Sequence, residues 1–548
     1  MGAVVNLRKQ ADESIYDIDL VADVLVVGGG PAGCWAGLAA ARAGSRVVLV
    51  EKGYVGTSGT QAPSGTGAYY LKPDDPIQRK NMIEARLAIA HGFASLDWIE
   101  KVYDQSFINQ DLMSRWGYAF PKAEGGREKF GGMRAADAVL FLRKQLEKHG
   151  VTILDHSPVL ELLTSDGVVA GAVGTNRKLG QTWRVKSGAV VLATGGTAFR
   201  SGMAGGHNNT GDGYLLAVEA GAQLSGMEFS GQYGIAPKGS ACTKTAVYNS
   251  ATMRDANGEV VRRGKGTTVA EIETGHLFCV LDKYDERGRE EIQRSQPMTF
   301  QFFERHLHID PFTEQYEIEH ILEGTVRASG GIDVGDGAAT TIPGLFAAGD
   351  TTSREKLVGS NQSGAGPATA WALASGSWAG HSATLFAKRF GNSIASRKVE
   401  GAGGVGLRPT GERRADLEVD TLISGVQDET LPVAKFYRRN GEYMSAALSK
   451  LDGLWSDARD GLAGDEGLSG PAAARSIVRA REAASMIAAA RWIFASALER
   501  TESRGLHRRS DYPDLDPTQH QHVVTGGVDA VWVKRKPVNN SYLEAVAS

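Results

Sequence analysis

A glycine-rich motif near the start of the chain has the residue types and spacing that could bind a dinucleotide. Gly28-x-Gly30-x-x-Gly33 follows the Val-rich run 24–27 and precedes small residues typical of a helix. Glycines without side chains let backbone N–H groups approach a pyrophosphate, and a helix N-terminus favours the anion. Glu51 ends the next apolar run, where a carboxylate can accept hydrogen bonds from ribose hydroxyls. The alternative is a glycine-rich turn that binds nothing.

A second motif lies far along the chain. The apolar run 344–348 delivers Gly349-Asp350 at the expected carboxyl end of another buried strand. A late Gly-Asp strand paired with an early dinucleotide motif resembles the arrangement of FAD enzymes, in which the aspartate contacts the ribityl chain. The alternative is a strand that ends in an ordinary aspartate turn. Glu51 also disfavours NADP, because a carboxylate would repel the additional phosphate of that cofactor.

The composition is that of a globular chain of several domains. Its 548 residues include 60 Lys and Arg against 63 Asp and Glu, so no polycationic surface is available for nucleic acid. The 69 glycines, about 13% of the chain, are roughly twice the usual fraction and indicate tight turns and close backbone approach. Cys34, Cys242 and Cys279 are scattered, which disfavours a disulfide framework, a zinc ribbon and an iron–sulfur cluster held by this chain.

The start of the chain has no apolar signal segment, and its one long uncharged stretch is broken by Gly28-Gly29-Gly30-Pro31. We therefore expect a soluble, cytoplasmic protein without a membrane span. The His-x-His pairs at 306/308 and 520/522 lack an HExxH frame, so we predict no metal site.

Apolar patterns predict the elements that must position these motifs. Val-rich runs at 24–27 and 46–50, separated by a helix at 34–43, predict a βαβ opening with parallel strands. Runs at 182–186 and 189–193 predict two further strands, the first in an antiparallel meander. The small-residue segment 366–390 predicts a long helix.

Later regions differ in character. The segment 231–323 is irregular, charged and aromatic, which is typical of an inserted domain. Residues 399–413, rich in glycine and charge, predict a linker. Residues 417–500 are mostly helical in pattern, and one strand is predicted at 528–533.

Several motifs occur in the order found in the fumarate reductase/succinate dehydrogenase flavoprotein superfamily, which the chain resembles over nearly its whole length. L-aspartate oxidase and the alpha subunit of adenylylsulfate reductase also belong to that superfamily. The shared segments are 24–33, Glu51-Lys52-Gly53, Ala193-Thr194-Gly195-Gly196, Thr210-Gly211-Asp212-Gly213, Met227-Glu228-Phe229, Gly330-Gly331-Ile332 and Glu502-Ser503-Arg504-Gly505.

The resemblance implies an α/β fold: a discontinuous Rossmann-like FAD-binding domain, an inserted α+β capping domain and a helical C-terminal domain. The implied boundaries are 1–230 and 324–398 for the FAD-binding domain, 231–323 for the capping domain, 399–414 for a linker, 415–504 for the helical domain and 505–548 for a C-terminal segment. The implied FAD-binding residues are Gly28, Gly30, Pro31, Ala32, Gly33, Glu51, Lys52, Ser58, Gly59, Thr60, Gly65, Thr194, Gly195, Gly196, Asp212, Gly349, Asp350, Asn361 and Gly364.

Departures from the family pattern bear on the reaction. Ser58-Gly59-Thr60 stands where succinate and fumarate members carry Ser-His-Thr, whose histidine takes the flavin covalently, so we expect FAD to be non-covalent. Family positions for substrate-binding His and Arg fall on residues such as Tyr233 and Gln362. Because a dicarboxylate needs paired cations, we expect neither succinate dehydrogenase nor fumarate reductase activity.

Four residues are candidates for a catalytic role: Arg327, Lys244, Tyr233 and Tyr248. Arg327 could anchor an anion or donate a proton over the flavin, and the alternative is a structural pair with Glu323. Lys244 could be a general acid if burial depressed its pKa, and the alternative is a solvated lysine. For the two tyrosines, packing is an equal alternative.

Three functions follow as hypotheses. The first is an FAD-dependent oxidoreductase that moves electrons between flavin and a small anionic organic or oxyanion substrate, with a separate iron–sulfur, ferredoxin-like protein as electron partner. The second is a self-sufficient oxidase or reductase of the aspartate-oxidase type. The third is a flavin-binding assembly subunit without turnover. The sequence leaves the substrate, the reaction direction and a possible oligomer open.

Overall fold

A computed structural model of the chain describes residues 16–57, 59–64, 67–122, 126–243, 245–261, 275–361, 365–403, 414, 416–465 and 467–538. Four predicted site residues, Ser58, Gly65, Lys244 and Gly364, lie outside the described residues, as does most of the predicted linker.

Strands and helices alternate through the first half of the described chain, and helices dominate after residue 416. The strands are β1 (Ile18–Val27), β2 (Val47–Val50), β3 (Thr152–Leu154), β4 (Val159–Ser165), β5 (Val168–Thr175), β6 (Thr182–Leu192), β7 (Leu224–Ser225), β8 (Gln232–Pro237), β9 (Thr252–Arg254), β10 (Leu277–Val280), β11 (Tyr316–Gly324), β12 (Gly331–Ile332), β13 (Leu345–Ala347), β14 (Glu400–Gly401), β15 (Gln521–Gly526) and β16 (Trp532–Pro537). The α-helices are α1 (Pro31–Arg42), α2 (Pro76–Ile89), α3 (Leu96–Arg115), α4 (Ala135–Lys148), α5 (Asp212–Glu219), α6 (Glu286–Ser295), α7 (Pro297–Phe302), α8 (Glu355–Val358), α9 (Ala365–Ala387), α10 (Val419–Thr430), α11 (Val433–Phe436), α12 (Gly441–Gly461) and α13 (Gly470–Glu499).

The central sheet confirms the predicted α/β fold with parallel opening strands. Its order is β14-β4-β5-β6-β1-β2-β3, with β13 paired to β6. β1 is parallel to β2 and to β6, and β13 is parallel to β6. β4 and β5 form the antiparallel meander. The parallel strands end at one edge of the sheet, which is where ligands bind in open α/β folds.

The alternation of β1 explains why the sheet is covered on both faces. Val24 and Val26 pack into a core cluster that contains Leu38 of α1. Leu25 and Val27 point to the opposite face and join a larger cluster that extends into α13. Successive strand residues face opposite sides, so a continuous apolar run indicates a strand buried between two layers.

Strand boundaries were the least accurate part of the sequence prediction. β1 begins at Ile18 rather than Val24, because its first residues pair with the start of β6. β6 is one strand rather than the two predicted runs. The predicted strand 528–533 is wrong in position: it is β16, and its partner β15 was missed.

Residues 231–323 contain a second sheet, of order β8-β11-β10-β9, with antiparallel pairing throughout. Its own apolar cluster includes Tyr248, Cys279 and Phe303. The outer strand β8 follows directly after β7, and β11 leads back to β12, which pairs with β7.

A third sheet connects the end of the chain to the segments on either side of the second sheet. Its order is β12-β7-β15-β16, so a C-terminal hairpin pairs with a strand some 300 residues earlier in sequence, a separation that favours slow, non-local pairing. Among the described helices, none has both the length and the apolar character required to cross a bilayer.

A buried network of ion pairs also stabilises the contact between the C-terminal segment and the residues after β7. Arg500 pairs with Glu228 at 2.8 Å and with Glu502 at 2.9 Å, and Arg504 pairs with Glu502 at 2.7 Å. All four side chains are at most 3% exposed. Breaking such a pair leaves an uncompensated buried charge, which is far more costly than loss of a surface pair.

We expect Glu502→Gln to lower the free energy of unfolding by about 3–5 kcal/mol, because Arg500 and Arg504 lose the carboxylate they share. Urea unfolding followed by circular dichroism measures the change. Glu228→Gln is the matched control: burial raises the pKa of Glu228 to about 7 against the lowering effect of Arg500, so amidation there removes less charge. Equal losses for the two variants would contradict this account.

Candidate functional site

A cleft opens at the sheet edge where the parallel strands end. Loops after β1, β2, β6 and β13 form its walls. The predicted residues that line it are Gly28, Gly30, Pro31, Ala32, Glu51, Lys52, Gly59, Thr60, Thr194, Gly195, Asp212, Arg327, Gly349 and Asp350.

The glycines of the first motif have the distinct roles that their spacing predicts. Gly28 has φ of +106°, a conformation that other residues adopt with strain. A Cβ on Gly33 would lie 1.8 Å from the carbonyl oxygen of Gly28, so this position must be glycine for α1 to pack on β1. A Cβ on Gly30 would meet no atom within 4 Å, because the residue faces open space.

The N-terminus of α1 lies at the cleft. Gly30 is its N-cap residue and Pro31 its first residue, and no described side chain caps the helix. The first-turn amides of α1 and its positive dipole end are therefore available to an anionic ligand. Gly30, Pro31 and Ala32 all line the cleft.

Glu51 lines the cleft and also holds the loops after β1 and β2 in place. Its Oε2 accepts a hydrogen bond from the Gly29 amide and its Oε1 one from the Gly53 amide, both at 2.6 Å. The side chain is buried. One carboxylate therefore fixes the loops after β1 and β2 relative to each other, and its remaining lone pairs can accept from a ribose.

Lys52 and Asp212 form a charged cluster beneath the cleft. The ammonium of Lys52 lies 2.7 Å from Asp212, 2.6 Å from Glu482 of α13 and 2.8 Å from the hydroxyl of Thr210. Burial alone would lower the pKa of Lys52, but the two carboxylates outweigh it and raise that pKa. Glu482 was missed by the sequence analysis, because its proximity depends on how α13 packs.

Asp350 is held at the cleft by two neighbours. Its carboxylate accepts from the guanidinium of Arg354 and from the backbone amide of Arg327. Arg354 is fully buried and also donates to the Ala328 carbonyl. Gly349, with φ of +73°, donates its amide to the Ser375 hydroxyl at 3.0 Å. Arg354 was not predicted, although a spacing of four residues between an aspartate and an arginine is typical of an ion pair.

Arg327 has the pairing that was the alternative to a catalytic role. Its guanidinium donates to Glu323, with an Nε–Oε2 distance of 2.9 Å, and the Glu323 side chain is fully buried. Arg327 also lines the cleft, from a left-handed backbone with φ of +57°. The ion pair joins the cleft wall to β11, and the catalytic role of Arg327 stays a prediction.

The remaining predicted residues that the structure describes do not line the cleft. Gly196 packs against Thr325, where a Cβ would approach the hydroxyl to 2.4 Å. Asn361 donates its amide to the Ile89 carbonyl at 3.3 Å. Tyr248 is only 3% exposed and packs in the core of the second sheet. Tyr233 lies edge-on to Tyr437, at a ring distance of 5.7 Å.

The chemistry of the cleft fits FAD. It offers an uncapped helix N-terminus, a side-chain-free approach at Gly30, and carboxylates at Glu51 and Asp350 that can accept from sugar and ribityl hydroxyls. When bound, FAD supplies hydride and electron transfer. Among the described residues that line the cleft there is no histidine, cysteine or tyrosine.

Two family models match the chain. The FAD binding domain matches residues 23–367, and the fumarate reductase flavoprotein C-terminal domain matches residues 434–546. The first model spans the predicted dinucleotide motif and the Gly-Asp strand. The second spans the helices α12 and α13 and the C-terminal hairpin.

Curated proteins and solved structures resemble the chain over nearly its full length. The fumarate reductase flavoprotein subunit of Mycobacterium tuberculosis is 26% identical, covering 90% of this chain and 92% of its own. The L-aspartate oxidase of Streptomyces coelicolor is 26% identical, covering 92% and 91%. In fold, FrdA of E. coli quinol fumarate reductase superposes with a TM-score of 0.80 at 22% identity, covering 96% of this chain and 98% of its own. Adenylylsulfate reductase of Archaeoglobus fulgidus superposes with a TM-score of 0.74 at 18% identity, covering 98% of both.

We expect Glu51→Gln to raise the dissociation constant for FAD at least about tenfold. Glutamine has one acceptor oxygen, so it cannot accept from both the Gly29 and Gly53 amides, and its NH₂ group would face a donor. Quenching of FAD fluorescence on titration with apo-protein measures the constant. Glu84→Gln, an exposed carboxylate of α2, should leave it unchanged; unchanged affinity in Glu51→Gln as well would refute the assigned role.

Proposed function

The chain belongs to the FAD binding domain family and is an FAD-dependent oxidoreductase, and on that premise we propose that it exchanges electrons between a small anionic substrate and a separate electron-carrying protein. The observation that carries this proposal is the state of the cysteines. The whole sequence contains three, and Cys34, Cys242 and Cys279 are each buried and not part of a disulfide. An iron–sulfur cluster usually needs four cysteine ligands, so the chain has none to carry electrons onward.

The names of related proteins support an enzyme made of more than one protein component. Several similar proteins are named as flavoprotein subunits of fumarate reductase, a name that describes one component of a larger enzyme. We propose an iron–sulfur, ferredoxin-like protein as the corresponding component here. The L-aspartate oxidase relative supports a second possibility, in which oxygen takes the electrons directly, and the reoxidation experiment below separates the two.

We also propose that FAD is held without a covalent bond. The family histidine that would form the link is replaced by Gly59, which lines the cleft. The absence of histidine, cysteine and tyrosine among the described lining residues supports the same conclusion, because these nucleophilic side chains are the ones suited to a stable flavin linkage. Affinity must then come from the backbone amides, Glu51 and Asp350.

Denaturation tests the mode of flavin attachment. We expect acid precipitation of the purified holoprotein to release FAD into the supernatant, because only non-covalent contacts hold it. Absorbance at visible wavelengths in the supernatant and in the washed pellet measures the partition. Yellow colour that stays with the pellet would show a covalent bond.

Reoxidation tests the electron partner. Small carboxylates and oxyanions are screened anaerobically for bleaching of the holoprotein, and the bleached protein is then exposed either to air or to an oxidised ferredoxin. We expect slow recovery of colour in air and at least about tenfold faster recovery with the oxidised ferredoxin. A protein partner that binds the flavoprotein accepts electrons faster than oxygen does. Fast recovery in air with stoichiometric hydrogen peroxide would establish the oxidase alternative. A flavin that no tested compound reduces, and that none reoxidises after chemical reduction, would count against turnover.

A further inference from the structure

Arg508 is a largely buried cation whose side chain makes no hydrogen bond or ion pair with any described residue. Its Nη1 is buried without a hydrogen-bond partner. Its one recorded contact is with an aromatic ring: the guanidinium carbon lies 4.3 Å from the ring centre of Tyr437. Such a contact is much weaker than a bidentate pair with a carboxylate.

The arginines around it each donate hydrogen bonds to described residues, although the Nε of Arg439 is also buried without a partner among them. Arg439 donates to the Glu228 carbonyl, the Ser230 hydroxyl and His507. Arg509 pairs with Asp511 at 2.7 Å, and Arg500 and Arg504 share the network described above. Arg500, Arg504 and Arg509 therefore engage the nearby carboxylates. Neither Arg439 nor Arg508 pairs with a described carboxylate, but Arg439 has neutral hydrogen-bond acceptors, whereas Arg508 has none among the described residues.

Arg508 lies where separate parts of the chain meet. Its carbonyl accepts from the Arg439 amide at 3.0 Å, which joins it to the segment after α11. Two residues earlier, the Leu506 amide donates to the Ser360 carbonyl at 2.9 Å, just before α9. Tyr437, which contacts the guanidinium, packs edge-on against Tyr233 at the start of β8.

A short series of contacts connects this junction to the FAD cleft. Arg327 of the cleft wall pairs with Glu323 on β11. Glu323 lies against β8, where a Cβ on Gly234 would approach its Oε1 to 2.6 Å. The next residue on β8 is Tyr233, followed in space by Tyr437 and Arg508. The guanidinium is therefore placed at the boundary between the FAD-binding region and the inserted sheet.

The electrostatics of the site favour an anion. Burial lowers the pKa of Arg508, and among the described residues Tyr437 opposes that effect while no carboxylate does. A buried charge without a counterion is unfavourable, and an anionic ligand would relieve that cost. A guanidinium presents parallel donors that match the oxygens of a carboxylate or another oxyanion.

We propose that Arg508 binds the anionic group of the substrate, so that the substrate is a small carboxylate or oxyanion held at the junction of β8, α11 and the C-terminal segment. This proposal rests on the proposed function. It supplies the cation that the sequence analysis found missing at the family positions.

Binding of inorganic sulfate and of malonate to the FAD-loaded protein tests the proposal without any turnover. Thermal midpoints and visible flavin absorbance are followed against sodium chloride at equal ionic strength. We expect saturable binding to wild type, weakened at least about tenfold in Arg508→Gln. Arg508→Lys should be intermediate, because it keeps the charge but loses the paired donors.

Arg389→Gln is the matched control, because Arg389 is an exposed cation over another ring, that of Phe386 at 4.9 Å. It should bind both anions as wild type does. Once a substrate is known, Arg508→Gln should raise KM more than it lowers kcat, with FAD content unchanged.

Wild-type protein without saturable anion binding, or Arg508→Gln that binds as wild type does, would overturn the proposal. If Arg508→Gln fails to fold, Arg508→Lys and Arg389→Gln carry the comparison, and Arg508→Lys with wild-type affinity would also overturn it. Anion binding that depends on Arg508 in a protein that no substrate reduces would retain the site and refute the proposed function instead.

Discussion

The parallel alignment of β1, β2, β6 and β13 is the constraint on which the rest of the site depends. Because these strands run in one direction, the loops after them emerge at one edge of the sheet. Glycines, Glu51 and Asp350 come from parts of the chain that are distant in sequence, and only the common strand direction brings them to one cleft. The helices on both faces follow from the same constraint, since a parallel sheet must be buried on both sides.

The sequence predicted the elements whose information is local. A glycine that needs a positive φ, an apolar run and an acid at a strand end can each be identified without knowing their neighbours in space. The cleft-lining residues of the first motif and the helix α9 were predicted for this reason. The hairpin β15–β16 was missed because β15 carries polar residues such as Gln521 and His522 and owes its strand conformation to pairing with β7.

The buried ion pairs were also not predicted from the sequence, because they depend on how distant segments pack. Glu482 reaches Lys52 only because α13 packs across the FAD-binding region, and Glu228 reaches Arg500 only because the C-terminal segment returns to β7. No spacing of residues in the sequence indicates such ion pairs. These pairs are costly to break, because removal of one partner leaves an uncompensated buried charge.

Arg327 and Arg508 illustrate how pairing decides what an arginine can do. In the sequence Arg327 was the stronger candidate, because it stands beside the Gly330-Gly331 motif of the superfamily. The structure gives it a buried carboxylate four residues away, which weakens its attraction for a further anion and leaves its predicted catalytic role to experiment. Arg508 lies in a row of basic residues that looks unremarkable as sequence, yet its neighbours take the available carboxylates. What distinguishes a binding cation from a structural one is therefore the local count of opposite charges, which only the folded chain defines.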